Sequence, residues 1–184
     1  RDLNIALFNE ILMICDKLNL NFSEVVRLAR TKWNFINFQP GLVGGHCLPV
    51  DPYYLSYIAK KNKFDSIVTL SGRKTNNIME KFILKKIYQH IKLRNKKLKN
   101  SKILIAGLTY KYGVSDMRNS LNFEIYKKIK KNINRTFAYD PFSKANNFTK
   151  PNNLSALIKF DIVIFLSKGL IFQKLYKKIK SKKP

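Results

Sequence analysis

The sequence predicts an α plus α/β fold, with a helical domain over residues 1–99 followed by a shortened, doubly wound Rossmann-like α/β domain over residues 100–184. Two observations lead to this prediction. Apolar residues recur every three or four positions through most of the first part, which is the period of an amphipathic helix. In the second part, short apolar runs alternate with helical patterns, an order that implies right-handed βαβ crossovers and a parallel sheet.

The first helix is predicted over residues 2–19, "DLNIALFNEILMICDKLN", whose apolar stripe is formed by Leu3, Leu7, Ile11 and Ile14. Cys15 lies on the same stripe, where a buried thiol is expected. A second helix is predicted in "NFSEVVRLAR". Ser23 is the expected N-cap of this helix, because a serine hydroxyl accepts a hydrogen bond from a free N–H group of the first turn.

Residues 32–50 contain proline and glycine and lack a helical period, so they predict a long loop, a feature that is usually functional in a compact domain. Within it, Trp33 and Phe35 are expected to pack in the core or against the loop. "DPYYLSYIAKKN" then begins a third helix, with Asp51 expected as the cap and Pro52 at the first helical position. A fourth helical pattern runs from about residue 66 to residue 98.

The α/β domain is predicted from six segments that follow a lysine- and asparagine-rich join at residues 94–101. The expected strands lie in "SKILIAGLTY", where the strand ends at Gly107, in "RTFAYDP", where it ends at Asp-Pro, and in "DIVIFLS". The expected helices are "SLNFEIYKKIKK", "LSALIKF" and "LIFQKLYKKIK". This alternation is typical of a parallel sheet with a helix after each strand.

Composition excludes several classes of protein. The 184 residues are 45% hydrophobic, without a run of eighteen or more apolar residues that could span a membrane, and no signal peptide is recognised. The two cysteines lie in different settings, which argues against a disulfide framework and for a cytoplasmic location. His46 and His90 lack a second ligand at metal spacing, so no metal site is predicted. The chain begins at Arg1 inside a helical pattern, and we interpret it as a piece of a longer protein.

The formal net charge of +25 raises the alternative of a nucleic-acid-binding protein. Basic proteins attract nucleic acid. Here, however, the lysines are scattered along helices and concentrated at the C-terminus. Aromatic residues do not alternate with them as a base-stacking surface requires. We therefore favour a solvated basic surface over specific nucleic-acid binding.

The stretch "PGLVGGHCLPVDPYYL", residues 40–55, is the candidate chemical site. A cysteine is a nucleophile only as the thiolate, and a helix N-terminus favours that form because unpaired N–H groups point outward there. Cys47 comes just before the helix that Asp51 and Pro52 begin. Gly44 and Gly45 allow a ligand to approach the backbone closely, and Asp51 could orient a water molecule or an alkoxide beside the sulfur. The alternative is a glycine turn with an incidental cysteine.

Several motifs resemble the UDP-glucose/GDP-mannose dehydrogenase family, and more closely its UDP-N-acetylhexosamine 6-dehydrogenases of capsule and Vi-antigen polysaccharide synthesis. They occur in the family's order along nearly the whole chain. They are "RDLNIALFNEI", "TKWNFINFQPGLVGGHC", "GRKTNNIM", "ILIAGLTYKYGVSDMRNS" and "YDPF". The fold that this resemblance implies is a helical central domain that pairs two subunits, followed by a nucleotide-sugar-binding domain.

The resemblance also implies the chemistry. These enzymes oxidise the C6 hydroxyl of a nucleotide sugar to a carboxylate, and each of the two oxidation steps passes a hydride to NAD+. The family's cysteine adds to the intermediate aldehyde, forming a thiohemiacetal that is oxidised to a thioester and then hydrolysed. Cys47 matches this nucleophile. Asp51 matches the carboxylate that handles the water or the oxyanion.

Other site residues are implied one position at a time. The loop that wraps the sugar and its phosphates matches residues 38–45, including Phe38, Gly41, Gly44 and Gly45. Lys111 in "TYK" matches a lysine that reaches the nucleotide sugar; the alternative is one more exposed lysine. Arg118 in "DMRNS" matches an arginine that contacts the NAD dinucleotide; the alternative is a surface ion pair with Asp116. Arg73 is a weaker candidate, and a structural or subunit contact is favoured for it.

The sequence departs from the family's pattern in several places. It contains no Gly-x-Gly-x-x-Gly after a strand, so no dinucleotide-binding fingerprint is found. The family's active-site lysine and asparagine would lie just before Arg1, and its first-domain glutamate and threonine are not found. After Asp140 the chain is shorter than is usual in the family, Gly169 stands where the family often has a histidine, and the expected last strand is not found after "KSKKP".

We therefore expect these 184 residues on their own to be inactive as a dehydrogenase. A non-catalytic remnant that dimerises or binds a UDP-sugar is the alternative function. The sequence does not choose among UDP-N-acetylhexosamines.

Overall fold

The structure is a computed structural model, and it describes residues 1–94, 101–143 and 159–182. Contacts between Cα atoms divide the chain into two compact units, Arg1–Ile83 and Leu84–Pro184. The α plus α/β fold class is confirmed, because helices precede a parallel sheet that alternates with helices. The domain boundary at residue 99 stays a prediction. The short helix expected in "LSALIKF" falls largely outside the described residues.

The first unit contains three helices and the beginning of a fourth. Their bounds are α1 (Asp2–Lys17), α2 (Phe22–Ala29), α3 (Asp51–Lys61) and α4 (Ile67–Arg94), and α4 continues into the second unit. No helix or strand occurs between Arg30 and Val50, so the long loop is confirmed. Helices α1 and α4 approach closely at Gly72, where an added Cβ would lie 2.4 Å from Cδ2 of Leu3.

Two of the expected caps are wrong. The side chain of Asn21, not that of Ser23, caps α2, because Asn21 Oδ1 accepts hydrogen bonds from the N–H groups of Ser23 and Glu24 at 3.0 and 3.3 Å. Ser23 therefore lies inside the first turn. Helix α3 begins at Asp51 itself, with Val50 in the cap position and no capping side chain. Asp51 instead places a negative charge in the first helical turn, where the helix dipole favours it.

The buried face of α1 differs from the predicted apolar stripe. Its buried residues are Asp2, Ala6, Phe8, Asn9 and Cys15, so the expectation of a buried Cys15 thiol is confirmed. Of the predicted stripe, Leu7 is 53% and Ile14 50% exposed, Ile11 is half-buried, and Leu3, which meets α4 at Gly72, is 40% exposed. Two polar residues thus take core positions while leucines are exposed, an inversion of the usual arrangement.

Two aromatic residues of the loop behave differently from each other. Trp33 is 89% exposed, so the expectation that it packs in the core or against the loop is wrong. Phe35 does pack, with its ring centroid 6.0 Å from that of Phe8.

Within residues 101–143 and 159–182, the second unit contains a three-stranded parallel sheet. In chain order its elements are β1 (Ile103–Ala106), α5 (Leu121–Asn132), β2 (Thr136–Tyr139), β3 (Ile162–Phe165) and a last helix, here α6 (Leu170–Lys182). Strand β1 is completely buried and lies in the centre, in the order β2-β1-β3. Because β2 and β3 add to opposite sides of β1, the chain reverses its winding direction, which makes the sheet doubly wound.

The strands are in register from Ile103, which pairs with Thr136 on one side and Ile162 on the other. Consequently all three strands end at the same edge of the sheet. At that edge Gly107 has φ +92° and an added Cβ would lie 2.6 Å from Cβ of Ser167. A side chain at this position would therefore be strained and would force apart the ends of β1 and β3.

Candidate functional site

Cys47 lies at the entry to α3. Its carbonyl oxygen accepts hydrogen bonds from the N–H groups of Asp51 at 2.8 Å and Val50 at 3.0 Å. These bonds form a turn that runs directly into the helix. The side chain of Cys47 is exposed, whereas Cys15 is buried. Of the two thiols, only that of Cys47 is presented to a ligand, and it lies next to the N-terminal turn of a helix.

Cys47 and Asp51 line the same cavity, which has a volume of about 390 Å³. The structure therefore brings together the two residues that were predicted to be catalytic. The catalytic roles themselves stay predictions. The walls are completed by Leu48 of the turn before α3 and by residues of three helices, Asp2 and Leu3 of α1, Pro52 and Leu55 of α3 and Thr69 of α4.

The loop before Cys47 contains the predicted sugar-binding residues. Gly45 has φ +89°, a left-handed conformation that favours glycine. Gly41 has no atom within 4 Å of an added Cβ, so open space adjoins its Cα. Phe38 is half-buried and packs against Phe8, with ring centroids 6.2 Å apart. These positions, with the half-buried Gly44, shape the loop, and their contacts to a substrate stay predictions.

A buried polar network that was not predicted from the sequence lies behind this loop. Arg73 is 2% exposed, and its Nη1 lies 2.5 Å from Oδ1 of Asp2, which forms part of the cavity wall. Asn9 and Asn76 are completely buried and hydrogen-bonded to each other. The structural contact favoured for Arg73 is therefore present. The sequence feature that could have indicated this network is a pair of polar residues on one face of each helix, Asp2 and Asn9 on α1 and Arg73 and Asn76 on α4.

Lys111 lies in the loop that follows β1 in the second unit, and its side chain is exposed. This loop begins where the ends of β1 and β3 adjoin and the winding of the sheet reverses. In open α/β sheets, ligands bind at such a switch point. Neighbouring Tyr112 packs edge-on against Phe142 at 4.9 Å and fills the space beside Gly169, where an added Cβ would lie 1.7 Å from its ring. The nucleotide-sugar contact of Lys111 stays a prediction.

Asp140 anchors the same loop and was also missed as a functional residue. It is 2% exposed, and its Oδ2 accepts hydrogen bonds from the N–H groups of Leu108 at 2.6 Å and Thr109 at 2.9 Å. The Thr109 hydroxyl donates to the same oxygen at 3.0 Å.

Burial, and to a lesser extent the nearby Asp140 carboxylate, raises the pKa of Tyr139 at the end of β2.

Arg118 forms an ion pair with Asp116, whose Oδ2 lies 2.7 Å from Arg118 Nη2. The hydrogen bonds to Asp116 raise the pKa of the Arg118 guanidinium, which is permanently charged in any case. The surface ion pair given above as the alternative is thus present. The pair leaves the Arg118 side chain 70% exposed, so the predicted contact with a dinucleotide stays a prediction.

Two kinds of feature are absent from the described part of the chain. Across residues 1–94, 101–143 and 159–182, no three His, Cys, Asp or Glu side chains are arranged to hold a metal ion. Among the helices of these same ranges, none has the length and apolar character that a membrane crossing requires.

Comparison with known proteins matches both parts of the chain to domains of one protein family. Residues 1–78 match the UDP-glucose/GDP-mannose dehydrogenase family, central domain. Residues 104–183 match the UDP binding domain of the same family. The chain belongs to the UDP-glucose/GDP-mannose dehydrogenase family. The residues of this dehydrogenase-family chain that line the Cys47 cavity all lie within the central-domain match.

Relatives of this dehydrogenase-family chain include protein CapL of Staphylococcus aureus, 41% identical over 71% of this chain and 31% of the relative. The UDP-N-acetyl-D-glucosamine 6-dehydrogenase of Salmonella typhi is 37% identical over 79% of this chain and 34% of its own length. Among solved structures, the UDP-D-ManNAc dehydrogenase of Pyrococcus horikoshii has a TM-score of 0.82 at 28% identity, over 98% of this chain and 42% of that one. The chain thus spans about a third of the length of these curated relatives.

Proposed function

We propose that this chain is part of an NAD-dependent UDP-sugar 6-dehydrogenase that oxidises the C6 hydroxyl of a UDP-N-acetylhexosamine to the uronic acid, for surface polysaccharide synthesis in the cytoplasm. The observation that carries the proposal is the exposed Cys47 thiol at the entry to α3, in one cavity with Asp51. The curated names of relatives, which include N-acetylglucosamine and N-acetylmannosamine enzymes, support the substrate class.

The role of Cys47 follows from the chemistry of an aldehyde. The first oxidation converts the C6 alcohol to an aldehyde, with loss of a hydride and a proton. The S–H bond of Cys47 breaks, the sulfur bonds to C6, and the carbonyl oxygen takes a proton, giving a thiohemiacetal. Loss of a second hydride and a second proton gives a thioester. Water adds to that thioester, the C–S bond breaks, and the carboxylate leaves while the thiol is regenerated.

Asp51 is the residue that would orient this water. Its backbone is fixed to the carbonyl of Cys47 at 2.8 Å, so the carboxylate is held one helical turn from the sulfur. A carboxylate in that position accepts a hydrogen bond from water and can take its proton during attack. In this proposed hydrolysis, water is the nucleophile, Asp51 is the base and the Cys47 sulfur is the leaving group.

NAD+, when bound, accepts the electrons and one hydrogen of each oxidation. In this chain, Arg118 is the residue proposed to contact it, because its side chain is 70% exposed and the edge of the guanidinium that does not face Asp116 can meet a phosphate. Lys111, exposed on the loop after β1, would contact the UDP-sugar. The match of residues 104–183 to a UDP binding domain supports this assignment.

A homodimer is proposed through the central helices. Leu7 and Ile14 support it, since both are about half exposed on the same face of α1 and are suited to contact a second copy. The second candidate function is a non-catalytic module that dimerises or binds a UDP-sugar. The same two residues and the UDP-binding match favour it.

The test uses a full-length protein containing this chain. Cys47→Ser should retain binding of the UDP-N-acetylhexosamine but lose formation of the acid by about a hundredfold or more, because an alcohol is a much weaker nucleophile and leaving group than a thiolate. Cys15→Ala, which replaces the buried cysteine, is the control and should keep acid formation. Normal acid production by Cys47→Ser would refute the nucleophile; binding without acid formation in the unmodified protein would favour the non-catalytic module.

A further inference from the structure

A chain of buried hydrogen bonds links the wall of the Cys47 cavity to the loop that carries the thiol. It starts at Asp2, where Asn76 Nδ2 donates to Oδ1 at 2.7 Å and to the backbone oxygen at 3.0 Å. Asn9 Nδ2 donates to Asn76 Oδ1 at 2.9 Å and to the Gly41 carbonyl oxygen at 3.0 Å. The Gly41 N–H donates to Asn9 Oδ1 at 2.8 Å, which closes a two-sided clamp on the loop backbone.

In this series of hydrogen bonds, Asp2 determines which group donates at every step. The Asp2 carboxylate accepts hydrogen bonds and cannot donate while ionised, and its partner Arg73 balances its charge. Asn76 must therefore turn its amide nitrogen toward Asp2, which leaves its oxygen facing Asn9. Asn9 turns its own nitrogen to that oxygen, so its remaining oxygen faces the Gly41 N–H. Since both asparagines are 0% exposed, water cannot replace either partner.

The loop continues from this clamp to the thiol over a short distance. Gly41 precedes Cys47 by six residues. Between them, Val43 is 4% exposed and Gly45 is buried in its left-handed conformation. A shift at Gly41 would therefore be transmitted along an already constrained segment to Cys47. An anchor at this point determines where the sulfur lies relative to the first turn of α3.

We propose that Asn9 is a positioning residue for Cys47, with its amide orientation set by Asp2 through Asn76. The carboxamide of Asn9 supplies, from two separate atoms, both the donor and the acceptor that the Gly41 backbone uses. The inference rests on the proposed function only in taking Cys47 as the reacting group. The experiment below measures the position of the thiol, without NAD or sugar, so the two proposals can fail separately.

The experiment uses this chain with Cys15→Ala, so that a trifluoromethyl thiol reagent labels Cys47 alone. In Asn9→Ala, the fluorine resonance should move at least halfway toward its position in the urea-unfolded chain. Amide exchange over residues 41–47 should accelerate about tenfold, while exchange in α3 changes by less than about twofold. Asn76→Ala should change both readouts in the same direction. Asn122→Ala, which removes another buried asparagine that donates to the backbone oxygen of Thr109, should change neither.

An unchanged fluorine resonance and unchanged loop exchange in folded Asn9→Ala would overturn the proposal. Equal acceleration in the loop, α1, α3 and α4 would overturn it too, because that result indicates a general loss of stability. Asn9→Asp is the second variant: it keeps the volume and an acceptor for the Gly41 N–H but loses the donor to the Gly41 and Asn76 oxygens, and it should change both readouts in the same direction as Asn9→Ala. If neither variant folds, Asn9 is required by the whole unit and a local positioning role is refuted.

Discussion

Among single residues, Asp140 shows how one buried side chain can hold a loop in place, here the loop that is proposed to bind the UDP-sugar. Its carboxylate lies at the end of β2 and holds the backbone after β1 through Leu108 and Thr109. A second oxygen accepts from the N–H of Phe142 at 2.9 Å. The loop that carries Lys111 is therefore held to the neighbouring strand by side-chain hydrogen bonds in addition to the sheet.

Asp140→Ala is expected to lower the free energy of unfolding by about 3 kcal/mol or more, since it leaves several buried donors without acceptors. The control is Asp161→Ala, which removes an exposed carboxylate that accepts a single bond, from the Lys102 N–H at 2.6 Å. It should cost less than half as much. Urea titrations of the three chains, followed by far-UV circular dichroism, measure the difference. Equal losses in the two variants would contradict the role given to Asp140.

At the scale of elements, α2 shows that the residue that begins a helix can be misidentified by one or two positions. Asn21 and Ser23 are both good capping residues, and both are exposed in the structure. The choice depends on which backbone adopts the extended conformation, and Asn21 does so, with φ −78° and ψ 106°. Ser23 then falls at a helical position, where its N–H is a donor to the cap.

Asn21→Ala should therefore lower the free energy of unfolding by about 1 kcal/mol, the usual cost of losing an N-cap. Ser23→Ala should change stability little or raise it slightly, because alanine has the higher helix propensity. Thermal unfolding of the two variants beside the parent chain provides the measurement. A larger loss in Ser23→Ala than in Asn21→Ala would restore the original interpretation of this helix start.

For the whole molecule, two surface properties compete to decide how copies of the chain interact. The net charge of +25 makes copies repel one another, and this repulsion is screened by salt. The exposed apolar residues Leu7 and Ile14 of α1 are proposed to favour association through apolar contact. Proposed dimer formation should therefore strengthen as salt is added, whereas non-specific nucleic-acid binding by a basic surface weakens with salt.

Leu7→Lys should shift the chain from dimer to monomer, because it places a charge in the middle of the proposed apolar contact. Leu28→Lys is a matched control: Leu28 on α2 is 56% exposed and Leu7 is 53% exposed, and only Leu7 lies on the stripe. Sedimentation velocity on the parent and both variants at the same salt concentration decides the question. A monomeric parent chain, or equal dissociation in both variants, would count against a dimer through α1.

The sequence by itself determined the local features of this protein. Helical periods predicted α1 to α4, and apolar runs predicted β1 to β3, because these elements depend on neighbouring residues. The turn from Cys47 to Asp51 was predictable for the same reason, as its hydrogen bond spans only four residues. The parallel, doubly wound sheet followed from the order of elements and the right-handedness of crossovers.

Only the tertiary structure decided which faces are buried and which polar groups meet. The bonds of Asn9 to Gly41 and to Asn76 join residues 32 and 67 positions apart, and that of Asn76 to Asp2 spans 74. Composition and period carry no information about such distant pairs. A leucine stripe on α1 predicts burial from hydrophobicity alone, yet in this structure the partners of Asp2 and Asn9 on α4 and the loop place those two polar side chains inside instead.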